Sequence, residues 1–372
     1  MTPSKEKEQS PSSSSSRVIR FFDPHFHVWD ITPTIEPEGE DDKTTISGHD
    51  GRLFFAPNGS NLYGRTEYEG DVVNGNSNAC CSSSEDKPTT TVVHEGGICI
   101  EANSVCFVDR PGSELTPKYR QELDWTLDQL ENNDSSKKTY RFIACASLES
   151  PGIDSWLAEI TSKQLQQGGD MLCGIRQILN YQPSWPRNDS LGELLTDERW
   201  KRGFRLLAEQ EPKLVFDLQL NPSQFEATLV VLRETPGARV VINHAGVPTL
   251  ADLTNPDKRK VYWDGLGALA ECPGVVGIKI SMLCYTDPIH WDTNPVVVET
   301  VHRIIELFGF RRVAFASNAP VDGKGNSENE ETSWPISRVL AAFDAMTASK
   351  YTEEERSWLF AEAAKKMYGL RT

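Results

Sequence analysis

Apolar residues in this chain come in short continuous runs, and nearly every run ends on a polar or ionisable side chain. Eight runs can be read: 18–22, which leads into Asp23-Pro24-His25-Phe26-His27, then 97–101, 141–147, 171–179, 213–219, 238–244, 275–280 and 312–318. Parallel strands buried on both faces require this pattern. Segments of helical period lie between them. One spans 119–130 and aligns Leu123, Leu127 and Leu130; another spans 200–209 and carries Trp200, Phe204 and Leu207. Asn221-Pro222 and Asn294-Pro295 each set a capping residue before a proline at the first helical position. The helix after Pro295 is expected to stop at Gly309. Thr352-Glu353-Glu354-Glu355 forms a capping box that opens a last helix ending near Tyr368-Gly369. Eight strands alternating with helices predict a closed (β/α)8 barrel, a TIM barrel. A doubly wound open sheet is the alternative. It is disfavoured because no glycine-rich loop follows the first strand.

The domain plan is simple. Residues 1–16 read as a disordered tail and 17–372 as one barrel domain. A long polar insertion, 36–91, follows the first strand. It lacks apolar periodicity and is read as disordered, with a short local element around Leu53-Phe54-Phe55.

Charge and cysteine usage narrow the class. The net charge is −16 and there is no basic run, so neither nucleic acid nor a membrane surface is expected as a partner. The longest apolar stretches are strand-sized, and the N-terminus has no apolar signal-peptide core. Cys99, Cys145, Cys173 and Cys284 lie in or beside apolar runs and read as small core residues, with no C-x-x-C pair. The expectation is a cytoplasmic protein with a small-molecule substrate; an organelle transit peptide in the tail is the other reading.

Candidate chemistry follows from the strand ends. His25 and His27 are spaced i, i+2 and would project from one strand face. The other ends carry Glu101, Ser147, Arg176, Asp217 with Gln219, His244, Lys279 and Asn318, with Asp322 just beyond. In a (β/α)8 barrel these ends form the active-site rim. His49, His94, His290 and His302 fall elsewhere and are read as structural.

The motifs Asp23-Pro24-His25-Phe26-His27-Val28-Trp29, Gly174-Ile175-Arg176-Gln177-Ile178-Leu179, Phe216-Asp217-Leu218-Gln219, Asn243-His244-Ala245-Gly246-Val247-Pro248, Gly277-Ile278-Lys279-Ile280-Ser281 and Phe315-Ala316-Ser317-Asn318-Ala319-Pro320-Val321-Asp322 occur in that order. Together they resemble the amidohydrolase-related (amidohydrolase 2) family of the amidohydrolase superfamily. The similarity is greatest to its sugar-acid lactonase and 2-pyrone-4,6-dicarboxylate lactonase branch. The resemblance implies a barrel hydrolase acting on a lactone of a sugar acid or related organic acid. Other branches imply a zinc-dependent decarboxylase, and a non-catalytic small-molecule-binding barrel is the third reading. Two positions depart from the pattern. Asn318 stands where the superfamily usually carries an aspartate, and an amide is neither a base nor a good zinc ligand. Ala363-Ala364 stands where an Asn-Ala pair is common.

On this reading His25, His27 and His244 polarise the carbonyl and orient water, directly or through an ion. Asp322 is the base and Asn318 a hydrogen-bonding group. Arg176, Glu101, Asp217, Gln219 and Lys279 bind substrate. No cofactor is expected to be required; the alternative is one divalent metal, zinc, on His25, His27 and His244.

Overall fold

The strand that carries the two histidines, β1 (Arg17–Phe26), pairs in parallel with β4 (Thr90–Ile100), and six further strands follow in chain order. They are β5 (Thr139–Cys145), β6 (Leu172–Ile178), β7 (Val215–Gln219), β8 (Val240–Ile242), β9 (Val275–Ile280) and β10 (Val313–Phe315). The computed structural model describes residues 17–30, 62–78, 90–102, 117–131, 138–166, 171–181, 193–324 and 330–370. Helices cover the outside, as a parallel sheet with two apolar faces demands. All eight expected strands are present, so the chain is a (β/α)8 barrel.

Closure between the last strand and the first is by loop backbone. The amide of His27 donates to the carbonyl of Ala319 over 2.7 Å, and the amide of Asn318 to the carbonyl of His25 over 2.9 Å. The barrel therefore closes through the residues that also carry its polar rim.

Several local expectations hold. Asn221, Asn294 and Thr352 cap their helices by side-chain acceptance, and Thr352 and Glu355 form a reciprocal box. The helix Pro295–Phe308 ends at Gly309, whose φ of 74° suits a residue without Cβ. Cys99, Cys145, Cys173 and Cys284 are buried free thiols. The C-terminal helix, with a π turn at Trp358–Glu362, packs Ala361, Ala363, Ala364, Met367 and Tyr368 against the inner ends of the strands. The small alanines let that helix approach closely, which gives Ala363-Ala364 a packing role.

One stretch departs from expectation. Inside the segment read as a disordered insertion, residues 62–78 are ordered. β3 (Leu62–Tyr63) pairs antiparallel with β2 (Trp29–Asp30), and helix α1 (Arg65–Asn78) lies on the barrel wall. β4 likewise begins at Thr90, before the expected end of the insertion. The helix is anchored by only a few buried side chains, Tyr68 and Val72 among them, so its periodic apolar signal is weak. The remainder of the insertion, including Leu53-Phe54-Phe55 and His49, and the 1–16 tail lie outside the described residues. Among those described, no helix is long and apolar enough to cross a membrane.

Candidate active site

At the end of β1 the ladder shifts register between Asp23 and Phe26. Asp23 is fully buried and accepts hydrogen bonds from the amides of His25 (3.2 Å) and Ser317 (3.1 Å), the Ser317 hydroxyl (2.5 Å) and the Tyr68 phenol (3.0 Å). This carboxyl ties β1, the loop after β10 and helix α1 to one point. Beyond it the rings of His25 and His27 lie edge to face, with Nε2 atoms 3.2 Å apart. His244, from the loop after β8, packs its ring 4.5 Å from that of His25. The three histidines singled out by position do form one cluster.

Hydrogen bonding fixes the tautomers of His27 and His25. His27 Nδ1 lies 2.9 Å from the carbonyl of Ile100, which can only accept, so Nδ1 bears the proton. His27 Nε2 is then an acceptor and His25 Nε2 the donor between them. A neutral His25 is left with a bare Nδ1, and that atom is buried without a partner among the described residues. His244 Nδ1 meets the Ser281 hydroxyl at 2.8 Å, leaving Nε2 for another group.

The rings are neutral at ordinary pH. Burial pushes His27 down to about 3, with the Arg176 charge acting in the same direction. Burial also draws His25 and His244 well below the usual histidine value, and the Lys279 ammonium adds to it. Two buried ion pairs supply these charges. Arg176 donates from Nε to Glu101 Oε1 (2.6 Å), from Nη2 to the Glu101 carbonyl (2.7 Å) and from Nη1 to Gln219 (3.2 Å). Lys279 Nζ donates to Asp217 Oδ2 over 2.5 Å, and Tyr368 donates its phenol to the other Asp217 oxygen over 2.6 Å. Burial lowers the Lys279 ammonium, with Asp217 opposing that shift.

On the far side Asn318 Nδ2 donates to Asp322 Oδ1 over 2.7 Å. Asp322 is buried, and desolvation lifts its carboxyl to about 7. A carboxyl that titrates near neutrality is suited to proton transfer. The backbone here is strained: His244 (φ 54°), Met282 (φ 57°) and Asn318 (φ 53°) all sit in the left-handed region. Non-glycine residues adopt it rarely, and such strain collects at functional sites.

The structure thus groups His25, His27 and His244, with the Arg176 charge acting on all three, and ties Asn318 to the His25 carbonyl by its backbone and to Asp322 by its side chain. It sets Glu101, Asp217, Gln219 and Lys279 in contacts with other protein side chains. Ser147 meets the Tyr119 phenol at 2.9 Å instead of the histidines. His94 lies on β4 with Nε2 3.0 Å from the Gly96 carbonyl, and His302 meets the Tyr351 phenol at 3.0 Å. Sequence reasoning passed over Ser281 and Tyr368. Ser281 lies two residues past Lys279, so strand alternation carried one step further finds it. Tyr368 comes from a helix and gives no such signal.

Two nitrogens 3.2 Å apart match the spacing of two ligands on one small cation, each about 2 Å away. The set goes no further. Among the described residues no group of three or more His, Cys, Asp or Glu side chains is arranged to hold a metal ion. His244 Nδ1 is taken by Ser281, and Asn318 turns its amide nitrogen to Asp322. These side chains, as placed, do not make up a complete ligand set for a metal ion.

A family model described as amidohydrolase matches residues 137–370, and the chain belongs to this amidohydrolase family. The uncharacterized protein y4mH of Sinorhizobium fredii is 29% identical over 197 residues, covering 52% of this chain and 60% of that protein. The chain thus spans about three-fifths of the length of the curated relative it matches. Among solved structures, a zinc-bound amidohydrolase from Burkholderia multivorans is similar at TM-score 0.62 and 18% identity, with 96% of this chain and all of that one covered. A probable 2-pyrone-4,6-dicarboxylic acid hydrolase from Acinetobacter baumannii, with citric acid bound, is similar at TM-score 0.57 and 13% identity over 94% of this chain and 99% of that one. At these identities the structural likeness speaks for the fold.

Proposed function

We propose that this chain is a hydrolase that opens the lactone of a sugar acid or a related small organic acid, without requiring a metal ion. The observation that carries the reading is a cluster of three neutral imidazoles, with a buried carboxyl of pKa about 7, Asp322, held by the Asn318 side chain on the loop that closes onto His25. Ester hydrolysis needs a positioned water, an acceptor for its proton, and donors where the oxyanion develops. The bare Nδ1 of His25 orients the water by accepting one of its hydrogens. The ionised Asp322 takes the proton as the water oxygen bonds to the carbonyl carbon. As the ring C–O bond breaks, the same carboxyl returns that proton to the leaving alkoxide.

His244, with Ser281 donating to Nδ1, presents Nε2–H to the oxyanion. Arg176 has two N–H groups left after its three hydrogen bonds, and these suit a substrate carboxylate. Glu101 and Gln219 fix that guanidinium, and Asp217 with Lys279 sets the charge beneath the rings.

The test is a panel of sugar-acid lactones and pyrone carboxylates, followed by acid release, with metal content measured on the same sample. Ring opening by metal-poor protein is the expected result. Loss of carbon dioxide from an aromatic acid, in proportion to bound zinc, would overturn the proposal.

A further inference from the structure

The segment that follows strand β1 looks dispensable by composition, yet one of its side chains reaches the site. Tyr68, on helix α1, is fully buried. Its ring stacks on Phe26, with centroids 3.9 Å apart and planes within 10°. Phe26 is the residue between His25 and His27. The Tyr68 phenol donates to Asp23 Oδ2 at 3.0 Å, and Asp23 in turn receives the His25 amide and both Ser317 donors. His94 Nε2 lies 3.3 Å from the phenol oxygen on its other side.

We infer that Tyr68 is a positioning residue of the active site: through Phe26 and Asp23 it holds the β1 end in the conformation that aligns His25 with His27. The inference rests on the reading of those histidines as site residues.

Two physical points favour this over simple filling of a gap. An ionised carboxylate accepts several hydrogen bonds, and each removed donor leaves a buried lone pair unsatisfied, which costs more than the bond's net contribution when formed. The carboxyl concerned joins β1 to the loop after β10, where barrel closure rests on few backbone bonds. His27 N to Ala319 O and Asn318 N to His25 O are both within a few residues of it. A change at Tyr68 therefore acts on the seam that also sets Asn318.

Other buried phenols of this region do not donate to Asp23, although the Tyr140 ring meets Phe26 edge-on with centroids 5.9 Å apart. Tyr63 donates to Asp71 (2.8 Å) within its own segment, and Tyr140 donates to Glu69 (2.6 Å) on α1. Tyr63 serves as the control.

The test compares the full chain with Tyr68→Phe, Tyr68→Leu and Tyr63→Phe, and does not depend on a substrate. Hydrogen exchange is followed by mass spectrometry on peptides covering 18–30 and 313–322, and the ring nitrogens of His25 and His27 are followed by NMR. Tyr68→Phe keeps the stack and removes one donor. It should speed exchange in those two peptides about tenfold, shift the His25 and His27 ring signals, and leave distant peptides unchanged. Tyr63→Phe should do none of these, and Tyr68→Leu should exceed Tyr68→Phe.

If Tyr68→Phe matches the parent in both readouts, or speeds exchange throughout the barrel equally, the phenol only stabilises the fold and the inference fails. Once a turned-over lactone is in hand, Tyr68→Phe should lower kcat about tenfold with KM little changed. A protein inactive on every lactone, yet showing the local exchange and ring shifts, would overturn the proposed reaction and leave the positioning role standing.

Discussion

Asn318 donates its side-chain amide to Asp322 over 2.7 Å, and both side chains are nearly fully buried. The superfamily's usual aspartate position is thus occupied by a group that holds a carboxylate instead of being one. In the proposed reaction, proton transfer falls four residues along the chain, to Asp322.

That shift ranks two substitutions. Asp322→Asn should lower kcat by 10²–10⁴-fold, the usual range for loss of a general base. Asn318→Ala removes one hydrogen bond and should cost about tenfold. Steady-state kinetics on any lactone turned over decides the order, and the reverse ranking would remove Asp322 from the base role.

Activity should depend on pH through the same carboxyl. Asp322 works ionised, so kcat should rise as pH passes about 7. The stability consequence has the opposite sense. The carboxyl titrates at 3.8 when free and at about 7 when folded, so between those values the folded state binds the extra proton. Its contribution to stability is greatest in acid and falls as pH rises toward 7. Asp322→Asn should therefore melt no lower than the parent at pH 8, even as turnover collapses. Paired melting and rate curves from pH 5 to 9 check both signs.

The Lys279–Asp217 pair should behave as a buried unit. Lys279→Met leaves Asp217 charged and half-partnered, at a cost of roughly 3–5 kcal/mol, whereas Tyr368→Phe should cost roughly 1–3 kcal/mol. The double change Lys279→Met with Asp217→Leu should cost less than the two single changes added together. Urea unfolding measures each.

Chelation separates the two accounts of the histidine cluster. Protein treated with a chelator and dialysed should keep its lactonase activity. Asn318→Asp places a carboxylate on the loop that closes onto His25 and should retain more zinc after dialysis than the parent, as measured by atomic emission. Complete loss on chelation, restored by zinc alone, would overturn the metal-free reaction.

Most of the barrel was legible because a strand buried on both faces must be apolar throughout, and each run ends where the chain meets the rim. The cluster of His25, His27 and His244 followed from that geometry. Depth did not. Asp217 pairs in register with Arg176 on one side and Val241 on the other, so it sits within the stave, where Lys279 and Tyr368 reach it. A linear pattern tells which strand end bears a charge, but not whether a residue from the C-terminal helix will neutralise it. Tyr68 was missed for a related reason. Its helix is held largely by polar contacts, Tyr68 to Asp23 and Glu69 to Tyr140 and Lys138 among them, and few apolar positions mark it.

The bond from Tyr368 to Asp217 bears on how the site comes into being. A ribosome makes the three histidines, Arg176 and Lys279 well before it reaches Tyr368. Until that phenol arrives, one oxygen of Asp217 lacks its donor, and the inner ends of the strands lack the helix that packs against them. The first strand and the final helix are both needed before the charge beneath the imidazoles is balanced. A half-barrel released early would display the motifs without their electrostatics.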